Sequence, residues 1–360
     1  MKKILFALLL ILSIVQAKQD TGVGKQGIAL ESSPAFERNG VHVDMFNIVR
    51  AETAKYFAEE TILSGGNTMR HERNGVDPKT ATVIRTNFDL VYSYGVYDVS
   101  KGLEISVPKY DLFQIVQVFD ENHVTIAVIY PGQRVKLSQK DVTYGNHVYL
   151  FMRTQKRTNT QEGTAELNKR QDAVVIKAQS SKPYVSEVKY DTVSFNKLRY
   201  HLLTTGLKIV KIHKGFVEKI DDIVFPHYQI TNLGGWGGLP AKHAFYFVVL
   251  PKGQKAINGE CSTTTFNPPP VQTDKNGYWS LTLYDKEGWV KTDQYFINSH
   301  TAKANKDGSY TLHFNCGDNA INNLKVVKNW NGLFRSYLPE SVESILKFKK
   351  EFLKHRPSVK

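Results

Sequence analysis

From Thr82 to Thr154 the chain is a succession of short alternating segments: TVIRTN, LVYSYGVYDV, LEISVP, FQIVQVFD, VTIAVIYP, RVKLS and HVYLFMRT. Successive side chains of a strand point to opposite faces, so this period-2 pattern with close breaks calls for antiparallel strands. Asp98 to Gly102, Pro108 to Asp111, Asp120 to Asn122 and Pro131-Gly132 supply the breaks. A second series follows residue 240: HAFYFVVLP, STTTFN, GYWSLTLYD, QYFINS, SYTLHFN and LFRSYLP. Within it, Asp307-Gly308 reads as a two-residue hairpin turn between AKANK and SYTLHF. Strands do not alternate with helices, which argues against a Rossmann or barrel α/β enzyme. The fold class expected is mainly β, with two antiparallel β-sandwich or jelly-roll domains.

Helical spacing appears in three places. Val41 to Leu63 predicts a helix with Asp44 as N-cap and Gly65-Gly66 as its stop. Residues 159–205, with TAELNKRQDAVVIKAQ and SFNKLRYHLLTTG, read as a helical linker. Pro339 to Leu353 closes the chain as a helix. The expected organisation is 1–17 signal peptide, 18–63 lead-in and helix, 64–158 first β domain, 159–205 linker, 206–340 second β domain and 341–360 basic C-terminal helix.

The signal peptide rests on order. Lys2 and Lys3 precede the apolar run Ile4 to Val15, and Val15-Gln16-Ala17 reads as a cleavage site. The run is too short to span a bilayer as a helix, and no cysteine follows it for lipid anchoring. The expected location is therefore periplasmic or extracellular. Losing two lysines lowers the net charge from +13 to about +11. The densest cluster, KFKKEFLKHRPSVK, reads first as a solvated helix face, and no nucleic-acid-binding motif accompanies it. Cys261 and Cys316 are expected to form a disulfide in an oxidising compartment, with two free buried thiols as the alternative.

The first domain resembles the domain-of-unknown-function family 1254. TVIRTNFDLVYSYGVYDVSKG is similar to that family's strand pair, matched at Arg85, Asn87, Asp89, Tyr92, Ser93 and Asp98. FQIVQVFDENHVTIAVIYPG resembles a further strand whose tip holds Glu121 and His123. The second domain resembles the companion family 1214, through GGWGGLPAKHAFYFVV, GYWSLTLYDKEGWV, YFINSHTAKANKDGSYTLHF and a closing tryptophan-arginine-tyrosine strand. Trp236, Trp279, Tyr284, Asp285, Gly288, Asn298, Asp307, Gly308, Trp330 and Arg335 fall on matched positions. Phe88 and Leu90 depart from the first motif, and the basic C-terminal helix replaces the family's proline-rich tail. The resemblance implies two β domains and no general activity.

Two of three function classes rest on named residues. One is a binding protein with a small-molecule or lipid-like ligand held by Asn87, Tyr92, Tyr278, Tyr284, Trp236 and Arg335. The other is an ester or sulfate-ester hydrolase, with His123 as base, Glu121 orienting it, Arg85 stabilising developing negative charge, and Asp89 beside them. A structural subunit of a homo-oligomer is the third class. No His-x-His or His-x-x-x-His spacing occurs among the eleven histidines, so no metal is expected, nor any cofactor. Gly-x-Ser-x-Gly is absent, and Ser93 is a poor nucleophile candidate. In the 277–289 stretch, alternation assigns Trp279, Leu281 and Leu283 to the core and Tyr278 and Tyr284 to a polar face; Asp285 caps the following turn.

Overall fold

The computed structural model describes residues 30–75, 77–79, 85–158, 160–206 and 209–359. The expected signal peptide and the first residues of TVIRTN lie outside them. The chain is mainly β, with open sheets whose pairing is mostly antiparallel, and it divides into two compact units.

The larger unit holds residues 30–75 and 90–240. Its elements are β1 (Phe36–Glu37), α1 (Ile48–Ser64), β2 (Arg70–His71), β3 (Leu90–Asp98), β4 (Leu103–Ser106), β5 (Gln114–Asp120), β6 (Thr125–Ile129), β7 (Arg134–Leu137), β8 (His147–Gln155), α2 (Gln161–Asp172), β9 (Val175–Ala178), β10 (Tyr190–Asp191), α3 (Thr192–Gly206) and α4 (His227–Gly235). Five strands form an antiparallel sheet in the order β2-β3-β8-β5-β6, and three form another, β7-β4-β9. Alternation divides the five-stranded sheet's side chains. Val96, Phe119 and Tyr149 join an apolar cluster with α1, α3 and α4, while Tyr97, Val118 and Val148 join one with Leu103, Ile105 and Leu137 of the smaller sheet. Residues 159–205, expected as a linker, are built into this unit: β9 pairs with β4, β10 with β1, and α3 supplies Phe195 and Leu202 to the core.

Helix α1 begins at Ile48, later than its apolar spacing suggested. Asp44 accepts the Phe46 and Asn47 amides and so shapes the preceding turn. It stops where expected, because Gly65 takes the left-handed conformation (φ 86°) that ends a helix cheaply.

The smaller unit holds residues 77–79, 85–89 and 241–359 of those described. It comprises β11 (Ala244–Val249), α5 (Gln254–Ile257), β12 (Ser262–Phe266), β13 (Tyr278–Tyr284), β14 (Phe296–Asn298), β15 (Tyr310–Phe314), β16 (Asn323–Leu324), β17 (Asn331–Tyr337) and α6 (Val342–Phe352). One sheet runs β11-β17-β13-β14 and the other β12-β15-β16. Trp279, Leu281, Leu283 and Phe334 face a core shared with Phe266, Leu312, Phe314 and, from α6, Ile345 and Phe352. The Asp307-Gly308 turn forms, with Asp307 accepting the Ser309 amide at 3.0 Å. The residues before it make no strand, however, and β15 pairs with β12.

Cys261 and Cys316 are disulfide-bonded across the start of β12 and the end of β15, 55 residues apart. Closing a loop of that length restrains the unfolded chain by about 4 kcal/mol. Reduction, or Cys261→Ser with Cys316→Ser, is expected to lower stability by about 2–5 kcal/mol, read as a fall in urea midpoint at unchanged slope.

Candidate functional site

The four-stranded sheet of the smaller unit has a second face, and most of it is polar. Register places Tyr278, Ser280, Thr282 and Tyr284 of β13 beside Asn331, Arg335 and Tyr337 of β17 and Asn298 of β14. Residues 85–89 lie across this face as a strap. The Arg85 amide donates to Gly288 O at 2.8 Å, and its carbonyl accepts from Arg335 Nη2 at 3.1 Å. Tyr284 donates to Thr86 O at 2.7 Å, Asn87 Nδ2 to Tyr337 at 2.8 Å, and Asn298 Nδ2 reaches Asp89 at 3.5 Å. Arg85 sits at φ 56°, a left-handed conformation that residues other than glycine seldom adopt, and it is held here from both sides by its amide and carbonyl bonds.

The charges under the strap are nearly dry. Arg335 is 3 % exposed and also donates to Thr282 Oγ1 at 2.9 Å and to Tyr284 at 3.1 Å. Burial works against its charge, but Tyr284, Tyr337 and Asp89 hold the guanidinium protonated. Asp89 is 5 % exposed, and burial raises its pKa against the pull of Ser280, Arg335 and Asn298. Its Oδ2 and Nη1 of Arg85 have no hydrogen-bond partner. Thus Arg85, Asn87, Asp89, Tyr284 and Arg335 are joined to this one polar face, and Tyr278 touches it by stacking on Tyr337. Glu121 and His123, grouped with Arg85 and Asp89 on sequence grounds, belong to the other unit.

Glu121 and His123 follow β5 in a tight turn organised by Asp120. That carboxylate accepts the Asn122 and Val124 amides and both the amide and hydroxyl of Thr143. His123 takes φ 58°, which breaks the alternation, and the two side chains go to different environments. The His123 ring is 1 % exposed, packed by Phe119, Phe216 and Trp236. Its Nε2 accepts the Gly237 amide at 2.8 Å, so the ring proton sits on Nδ1, which has no partner. Burial, with Arg153 nearby, lowers its pKa to about 3. With its lone pair occupied inside the core, His123 is not placed to take a proton from a substrate.

Glu121 instead lines a cavity of about 200 Å³ with Asn146, His147, Lys182, Val185, Ser186 and Glu187. Glu121 is 7 % exposed, and burial and the Glu187 charge raise its pKa to about 7, against the Asn146 and His147 amides that it accepts. Gly145 makes room for it: a Cβ there would stand 1.9 Å from Glu121 Oε1, at φ 71°. His147 is kept neutral by burial, with Nε2 at 3.2 Å from Lys182 O. Among the described residues no group of three or more His, Cys, Asp or Glu could hold a metal ion.

The remaining candidates are in packed surroundings. Tyr92 lies against Tyr94 and Phe151, and Trp236 stacks on Tyr56 while donating to Thr53 Oγ1 at 3.2 Å. Ser93 does meet a histidine, with Oγ at 2.8 Å from His71 Nδ1, but it is wholly buried and also held by Gln171.

Residues 66–182 match the family described as "Protein of unknown function (DUF1254)", and residues 245–341 match "Protein of unknown function (DUF1214)". The chain carries a DUF1254 domain followed by a DUF1214 domain. No curated protein matches it. The crystal structure of the VPA0106 protein from Vibrio parahaemolyticus is 17 % identical with a TM-score of 0.61, over 83 % of this chain and 94 % of that one. An uncharacterised protein from Burkholderia cenocepacia is 12 % identical with a TM-score of 0.45, over 94 % of this chain and 93 % of that one. The likeness to the Vibrio protein shows a shared fold.

Sequence families and compact units do not coincide. The strap 85–89 falls within the DUF1254 match, yet every bond just described ties it to residues of the DUF1214 match. Asn146 and Lys182 of the cavity, within the DUF1254 match, and Glu187, beyond its end, carried no sequence signal. His147 was one of many histidines without metal spacing.

Proposed function

We propose that the protein is an exported binding protein whose ligand enters the cavity beside Glu121, and that the ligand carries a small cationic group such as an ammonium. The observation that carries this is the Glu121 carboxyl itself, nearly dry and lining a cavity of about 200 Å³. Two carboxylates, Glu121 and Glu187, face the space against one ammonium, Lys182, while His147 is neutral. Asn146 adds a buried Oδ1 that has no partner. A cation bound there would relieve the desolvated charge that holds the Glu121 pKa up. Export is supported by the disulfide and by the charged-then-apolar start of the sequence. Hydrolysis is the weaker reading, because the base it needs is sealed in the core.

Calorimetry with methylammonium and tetramethylammonium tests the proposal, about one pH unit above and below the Glu121 pKa. Binding is expected above it, weaker binding below, and loss in Glu121→Gln. No heat with either ion, or binding indifferent to Glu121→Gln, would overturn the reading; turnover of a chromogenic ester or sulfate ester would restore the hydrolase.

A further inference from the structure

The smaller unit has a cavity of its own, of about 340 Å³, lined by Lys252, Thr263, Thr264, Thr265, Lys354, His355 and Ser358. The C-terminal tail builds one wall. After α6 the chain turns back, and Ser358 pairs with Thr263 through two backbone bonds of 3.0 and 3.1 Å. The Lys252 amide donates to Pro357 O at 2.7 Å, and Thr264 Oγ1 to His355 O at 2.6 Å. The disulfide at Cys261 anchors the start of the same strand.

The lining is cationic and hydroxylic. Two lysines and a histidine share the lining with three threonines and a serine, and no carboxylate is among the lining residues. Glu351 engages Lys354 at 2.6 Å and His355 at 3.2 Å from outside the lining. All three of those side chains are well exposed, so water weakens the pairing and Lys354 is free to exchange it for a ligand. We propose that this cavity binds an oxyanion, the phosphate or sulfate group of a larger molecule. Ammoniums and hydroxyls give such a group short charge-assisted hydrogen bonds around a compact charge. The volume exceeds what a lone phosphate fills, leaving space for the group that carries it. The source is either a free phosphorylated or sulfated solute or the headgroup of an anionic surface.

Titration calorimetry with inorganic phosphate and with sulfate reads the solute arm, and flotation with phosphatidylglycerol against phosphatidylcholine vesicles reads the surface arm. Lys252→Ala with Lys354→Ala is expected to weaken whichever binding occurs by about tenfold or more. Lys347→Ala, an exposed change on α6 outside the cavity, is expected to leave it unchanged. Binding of phosphate or sulfate by the protein, lost in the double variant, supports a solute. Flotation with phosphatidylglycerol alone, lost in the double variant, supports a headgroup. No binding in either arm, or an equal loss in Lys347→Ala, overturns the proposal. Because both lysines are exposed, an unchanged thermal melt is expected to show that the double variant is folded.

Discussion

Glu121→Gln will be more stable than the wild-type protein in alkali and nearly equal to it in acid. Glutamine keeps the carbonyl oxygen that accepts the Asn146 and His147 amides but never ionises. In the wild-type protein the folded-state pKa stands near 7 against an ordinary glutamate value of 4.5. Below the lower value the carboxyl is protonated in both states, and the folded protein loses nothing. As pH rises, the unfolded chain releases its proton first, so stability falls until the folded protein also ionises at about 7. Each pKa unit is worth about 1.4 kcal/mol, which puts the full loss at about 3 kcal/mol. His147 acts in the opposite sense, since its burial-lowered pKa removes stability as pH falls. It is common to both proteins and cancels in the difference. Urea denaturation across pH measures that difference; two parallel pH curves would mean that Glu121 titrates normally.

Arg335→Met is expected to cost about 3–5 kcal/mol, the range for breaking a buried charge pair from one side. The substitution removes the donors to Thr282, Tyr284 and Arg85 O, and it leaves Asp89 buried without its cation. Adding Asp89→Leu should recover part of the loss, because the stranded carboxyl goes with it. A coupling of about 1–3 kcal/mol between the two sites is therefore expected from a double-mutant cycle in urea. Strict additivity would show that the two groups do not share one network.

The regular parts of this fold were legible and the irregular ones were not. Alternation in β13 was enough to send Trp279, Leu281 and Leu283 to the core and the tyrosines to the other face, because a pleated strand leaves no choice. Asp285 could be read as a turn cap for the same local reason, and it accepts the Glu287 and Trp289 amides at 2.9 Å each. Residues 85–89 defeated the pattern: they are no strand, and nothing local says which sheet they cross. Glu121 and His123 looked like a pair because they are two apart. One left-handed residue undid that, turning His123 into an aromatic core while Glu121 faces a cavity. Glu187, which helps set the Glu121 pKa, comes from a loop 66 positions later, beyond the reach of any motif.

The strap has a consequence for how the protein is made. Residues 85–89 leave the ribosome long before the strands they will lie across, and they must wait for β13 and β17 to be synthesised. A gene cut at residue 240 would therefore produce no natural half. The upstream product would keep residues 85–89 between its own two segments with nothing to bind. The downstream product would carry Arg335 and Tyr284 without the carbonyls that accept their hydrogen bonds, and Tyr337 without the Asn87 amide that donates to it, and it is expected to aggregate on expression unless residues 85–89 are supplied in trans.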